Sequence, residues 1–239
     1  MALAIVLGAF IHFVRTETGK EWVRGRLSAL LSSQPDRSVE LGRFTELLPW
    51  DIRLENLVVS DAAGAWLHMK GLVLRWNPAA LLRGKISVQE LRADSIQIDR
   101  LPASSLETPS REPGIPRIQF SVPPVTIGGI AVPRLSLGQE VLGHAASLEM
   151  AGFILPVEPA GGRSAFLQVN RLDPGQTFLV QLDARLDGPT ESLQLRLEAL
   201  ESADGLLAHV LGLRDAGELE LRLSGFGPAS GWHGDMDLR

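Results

Sequence analysis

The 239-residue sequence contains no cysteine. A disulfide framework, a thiolate metal site and a cysteine nucleophile are all excluded by that absence, while the redox compartment stays open. Positive charge is also in short supply, with 23 Lys and Arg against 28 Asp and Glu for a net charge of -5. Binding to a phosphate backbone rests on clustered Lys and Arg, so nucleic acid is not expected as a partner. Recognisable chemistry is missing too. The five histidines, His12, His68, His144, His209 and His233, are scattered, and none has the i, i+4 partner of a zinc helix. There is no nucleophile elbow, phosphate loop or dinucleotide fingerprint, and the pairs Gly128/Gly129 and Gly161/Gly162 read as turns. Glu218 and Glu220 fall on one strand face, where solvation explains them better than acid–base work. Neither a metal nor a cofactor is expected, and the chain does not read as an enzyme.

A fully membrane-spanning hydrophobic run is the last thing the sequence lacks. Ala2 to Val14 is apolar apart from His12, with Ile5, Val6, Leu7, Phe10, Ile11, Phe13 and Val14 as its bulk. At ~1.5 Å per residue it would reach only about 20 Å as a helix, against a hydrocarbon core of ~30 Å. The length suits a signal-peptide core, yet no Lys or Arg precedes it and no small-x-small cleavage site follows. It reads as a membrane anchor, with a buried core helix as the alternative. Arg15, Lys20, Arg24 and Arg26 all follow the run, which by the positive-inside rule would hold the rest of the chain in the cytoplasm. A basic segment upstream of the apolar run would reverse that orientation. Next, Thr18 and Glu21 have capping-box spacing ahead of Trp22 and Val23, which predicts a helix start. Trp22, Val23, Leu27, Leu30 and Leu31 would share one face of that helix, Lys20, Arg24 and Ser28 another. Residues 1–33 thus read as anchor plus amphipathic helix.

What is present, from Val39 onward, is period-two alternation. Leu72, Leu74 and Trp76, then Ile86 and Val88, Ile96 and Ile98, Ile118 and Phe120, Val180 and Leu182, Leu195 and Leu197, and Leu221 each alternate with polar or small neighbours. That is the signature of strands with one apolar and one wet face. Between Trp76 and Ile86, Pro78 suits a first helical position and Gly84 a helix end, so one helical turn is expected. A Pro- and Ser-rich stretch, 102–117, interrupts the pattern as a loop. A further helix is expected at Ser202 to Leu213. Turn signals at Asp61 to Gly64, Asp94 and Ser95, Asp187 to Pro189 and Gly225 to Pro228 imply short connections and mostly antiparallel pairing. With 45% hydrophobic residues, residues 38–239 are expected to form a mainly β domain. Trp22, Trp50, Trp66, Trp76 and Trp232 are read first as core residues and second as lipid-headgroup anchors.

Several stretches carry a family resemblance. "TETGKEWVRGRLSALLSS" (16–33), the run from Leu47 to Pro102, "GLLAHVLGL" (205–213) and "LSGFGPASGWHGDMDL" (223–238) resemble the N-terminal part of the TamB family. The motifs Asp-x-x-Gly-x-Trp-Leu (Asp61 to Leu67), Trp-x-Pro-x-x-Leu-Leu-x-Gly (Trp76 to Gly84) and Arg-Leu-Pro (Arg100 to Pro102) carry it together. The family is the inner-membrane part of the translocation and assembly module and belongs with AsmA-like, repeating β-groove proteins. The resemblance implies an elongated, mostly antiparallel sheet curled into an open apolar groove, lined here by the alternating residues just named. It implies a single-pass inner-membrane anchor with the bulk of the chain in the periplasm, and a groove that shields acyl chains and conducts phospholipid toward the outer membrane. The alternative is a scaffold assisting outer-membrane protein assembly and secretion with a TamA-type barrel, engaged through a C-terminal region that this sequence lacks. A closed β-sandwich serving as a binding module is a third reading.

Overall fold

The structure is a computed structural model that describes residues 16–32, 37–102, 125–157, 161–203, 205–210, 212–213, 217–228 and 231–239. The expected anchor residues Ile5, Val6, Leu7, Phe10, Ile11, Phe13 and Val14, the loop beyond Pro102, and Ile118 and Phe120 lie outside these. Among the described residues no helix is long and apolar enough to cross a membrane.

Thirteen strands join one sheet: β1 (Ser38–Leu41), β2 (Phe44–Leu48), β3 (Asp51–Asp61), β4 (Gly64–Trp76), β5 (Ile86–Arg92), β6 (Ser95–Ile98), β7 (Val125–Leu137), β8 (Ala146–Val157), β9 (Gly162–Arg171), β10 (Phe178–Leu186), β11 (Ser192–Glu201), β12 (Leu219–Pro228) and β13 (His233–Leu238). From β7 on, each strand pairs antiparallel with the next. This is the meander that short polar turns dictate, since a tight turn can only return the chain antiparallel. The exception is at β7, which lies parallel to β5 and β6. The connection ahead of it is long enough to bring the chain back to its starting end. The path is open, with β1 and β2 at one edge and β13 at the other. Because β1 with β2, and β5 with β6, share places, the path counts eleven positions, about 48 Å at ~4.8 Å spacing.

Those shared places mark a crease. Gly42 donates its N–H to Asn56 O and Asp94 its N–H to Lys70 O. Gly71 sits at φ 61, where a Cβ would lie 2.1 Å from the Asp94 carboxylate. Glycine is required there on both counts. The irregularities shift strand parity together, so Leu54 and Leu57 on β3 face the same way as their partners Leu72 and Met69 on β4. Spacings of three inside a period-two pattern thus preserve one apolar face.

Three helices attach to the sheet: α1 (Glu17–Leu31), α2 (Gln139–Leu142) and α3 (Leu206–Val210). The predicted turn at Pro78–Arg83 is a 3-10 helix capped by the Asn77 side chain and ended by left-handed Gly84. α1 corrects two expectations. Its cap is Thr16, whose hydroxyl accepts from Gly19 N–H, rather than a Thr18–Glu21 box. Its packed face carries Gly19 and Val23, with Val23 on Phe44, Leu47 and Leu54, while Trp22, Leu27 and Leu31 are exposed. The sequence stripe is too wide for the narrow contact that two short edge strands offer. α3 is shorter than the 202–213 segment predicted, because Glu201 caps it and Gly212 turns the chain. Gly128 and Gly129 are not a turn but lie inside β7, where a Cβ on Gly128 would meet Gln89 O at 2.7 Å. Gly225 to Pro228 likewise belong to β12.

Candidate functional site

Cross-strand partners in register project their side chains to the same side of a sheet. Applied strand by strand, the pairing places every described member of the predicted apolar set on one face. Leu72 and Leu74 on β4 pair with Leu54 and Ile52, and Trp76 with Val88. Ile86 and Val88 lie beside Val125 and Ile127, and Ile96 and Ile98 beside Leu135 and Leu137. From β7 the same face continues through Ile154 and Leu148, Leu167 and Val169, Leu182 and Val180, Leu197 and Ala199, to Leu223 and Leu221. Met236 and Leu238 on β13 complete it.

Among the described residues, helices cover this face in two places, at the β1–β3 edge and over one end of β8–β10. At the β1–β3 side α1 closes over Phe44, Leu47 and Leu54, and Val39, Val59 and Leu67 form an adjoining cluster with Met69, Ile96 and Ile98. Further along, Leu206 of α3 sits 2% exposed against Ala146 and Leu148, with Val169 and Phe178 around it. Between and beyond these covers, Leu74, Trp76, Val88, Ile127, Ile154, Leu167, Leu182, Leu195 and Leu197 are half-buried, and Leu91 and Met236 are exposed. At the far end Gly225 and Gly234 face each other without side chains, and the Trp232 indole fills that hollow, its Nε1–H donated to Leu193 O. Trp22 and Trp50 are exposed, and Trp66, Trp76 and Trp232 are half-buried. None of the five is the fully enclosed core residue expected first.

The opposite face is mostly polar, with the stacked pair Phe153–Phe166 and the exposed Leu155, Leu200 and Phe226 as its apolar members, and many of its charges are paired. Asp51 takes two hydrogen bonds from Arg53, at 3.1 and 3.0 Å, and lies 3.5 Å from Arg75. The Arg53 hydrogen bonds, with the Arg75 charge, hold the Asp51 carboxyl below its ordinary pKa. Arg75 also reaches Glu90 at 2.8 Å. At Asp173 partial burial pushes the pKa up, but the hydrogen bonds from Arg171 and the Ser147 amide outweigh it and leave it lowered. A shallow depression of about 410 Å³ lies on this side around Arg92, Ala131, Glu149, Ala151, Gln168 and Asn170. Its amides and carboxylate are already bonded to one another, Asn170 to Glu149 and Gln168 to Asn170. Among the described residues no group of three or more His, Asp or Glu is placed to hold a metal ion. Among the described residues this arrangement leaves an apolar strip, about the height of a strand, without cover between and beyond α1 and α3.

No family model, no curated protein and no solved structure matches the chain.

Proposed function

We propose that the apolar face shields acyl chains, and that the protein is a membrane-anchored, TamB-like periplasmic β-groove protein that passes phospholipid toward the outer membrane. The observation that carries this reading is the continuity of the strip: it crosses every strand from β3 to β13, yet among the described residues helices cover it only at the β1–β3 edge and over one end of β8–β10. A sheet with one apolar face must cover it, and each methylene removed from water contributes about 0.8 kcal/mol. Acyl tails supply that cover along the whole length without a second layer of protein. The half-burial of the central leucines fits a face that curls around its occupant. The sequence motifs shared with the TamB family, Asp61 to Leu67 and Trp76 to Gly84, support the same reading.

The test is a charge placed mid-strip. Leu182 lies between Leu167 and Leu197 and belongs to neither helix-covered cluster, whereas Ile96 touches the Val39 cluster and would lose stability for ordinary reasons. Leu182→Asp should keep the wild-type circular dichroism and nearly the same melting temperature while the lipid co-purifying with the protein, read by mass spectrometry, drops severalfold. Gln194→Asp on the polar face should change neither. A Leu182→Asp protein that retains its full lipid load would refute the conduit.

A second reading, a scaffold for outer-membrane protein assembly with a TamA-type barrel, is favoured by β13. Its six residues are all exposed, and among the described residues it pairs with β12 alone, an arrangement suited to β-augmentation. That reading requires no lipid load, and so the same measurement separates the two.

A further inference from the structure

The end of the sheet where β2 turns into β3 and β4 gives way to β5 carries an apolar tip that the fold does not use. Leu82 is 90% exposed, Leu81 49% and Trp50 48%, and the 3-10 turn that holds the two leucines buries none of its residues. Trp76 N–H to Trp50 O and Asn77 N–H to Ser87 O put the Trp50 turn and the 77–85 loop side by side. Two cations flank the leucines. Arg83 and Lys85 are exposed and form no ion pair among the described residues, and residues 77–89 contain no Asp or Glu. By contrast, of the nearby carboxylates, Asp51 and Glu90 are neutralised by Arg53 and Arg75, and Glu46 lies opposite Arg53 in the β2–β3 pair. α1 also points its first turn to this end, since Val23 packs on Leu47 while Ser28 bonds to Val39 at the other.

We infer that Trp50, Leu81 and Leu82 are a wedge that seats this rim of the sheet in an anionic phospholipid bilayer, with Arg83 and Lys85 on the phosphates. The inference rests on the proposed lipid-shielding role and adds where lipid would enter. Three features select a bilayer over a protein partner. The tip projects into solvent, with Leu82 90% exposed, and comprises too few side chains for an interface of the usual ~1,200–2,000 Å². Its aromatic is an indole, the ring that settles at headgroup depth. Its charge is uniformly positive beside the leucines, which suits a surface that attracts each Lys or Arg electrostatically.

Because the chain has no cysteine, a single Leu82→Cys carries an environment-sensitive fluorophore at one site in the full chain. On phosphatidylcholine vesicles containing phosphatidylglycerol its emission should shift to the blue and be quenched by brominated acyl chains, whereas a label at Gln194→Cys should stay water-like. In the vesicle-bound full chain, Leu81→Ser should weaken the bromine quenching of the label at position 82 severalfold. Arg83→Gln with Lys85→Gln should abolish the preference for phosphatidylglycerol over pure phosphatidylcholine. A label at position 82 that remains water-like on vesicle-bound protein overturns the wedge, and so does unchanged quenching of that label in the Leu81→Ser variant. Either outcome is independent of the lipid load of Leu182→Asp, so failure of the wedge and failure of the conduit are separately visible.

Discussion

At the scale of single residues, the pair Arg100 and Asp61 shows how a motif without chemistry can still be specified. Arg100 Nη1 reaches Asp61 Oδ2 at 2.8 Å, and its second amino group bonds the other carboxylate oxygen and Gly64 O. The Asp61 side chain is almost fully enclosed, and its hydrogen bonds raise the Arg100 pKa further above its ordinary value. Asp61 also receives Ala63 N–H, closing the β3–β4 turn. One guanidinium thus ties the hairpin turn to the end of β6, thirty-nine residues on. Planar, two-pronged geometry is what Arg supplies and Lys does not. Arg100→Ala should lower the midpoint of chemical denaturation, and Arg100→Lys should recover only part of the loss. Full recovery by Lys would show that charge alone matters there.

Among the elements, α3 is the clearest case of a short helix that tertiary contacts sustain. Five residues lie far below the length at which a helix is stable alone. What holds it is Glu201, buried at the end of β11, whose carboxylate accepts Leu207 N–H at 2.8 Å and Ala208 N–H at 2.9 Å. Gly205 leaves room for that side chain, since a Cβ there would sit 2.0 Å from the Glu201 carboxyl carbon. Leu206 then fills the site over Ala146 and Leu148. Glu201→Ala removes both acceptors and should cost about 1 to 2 kcal/mol. Hydrogen exchange should speed up at the amides of residues 207 and 208 and at β8, while β3 and β4 stay protected. Uniform loss of protection would mean that α3 is part of one cooperative core.

For the whole molecule, the distribution of buried residues predicts how it unfolds. The clusters around Phe44 and Val39 share Leu41 and Leu57 and belong to α1, β1–β4 and β6, whereas the Leu206 cluster belongs to β7–β10 and α3. Strands touch mainly their sheet neighbours, as in stacked repeats, where stability is a sum of local terms and cooperativity is limited. Four of the five tryptophans, Trp22, Trp50, Trp66 and Trp76, lie in the first part. Urea titrations followed by tryptophan fluorescence and by far-ultraviolet circular dichroism should therefore give different midpoints. Coincident curves would point to a single two-state unit.

Alternation by itself determined the mainly β class, the one-faced strands and the membership of the apolar face, because a period of two admits only one way to sort side chains about a sheet. Local chemistry likewise determined the Pro78 to Gly84 turn, where a fixed φ and a left-handed glycine act within a few residues. Tertiary structure decided what depends on partners distant in sequence. The parallel placement of β7 beside β5 and β6, the crease through Gly42 and Gly71, and the placing of Gly128 against Gln89 are all matters of which backbone comes to lie alongside. The packed face of α1 was decided the same way. Its sequence offers Trp22, Val23, Leu27 and Leu31 alike, and the two short edge strands beneath it take up Val23 and leave the other three to solvent.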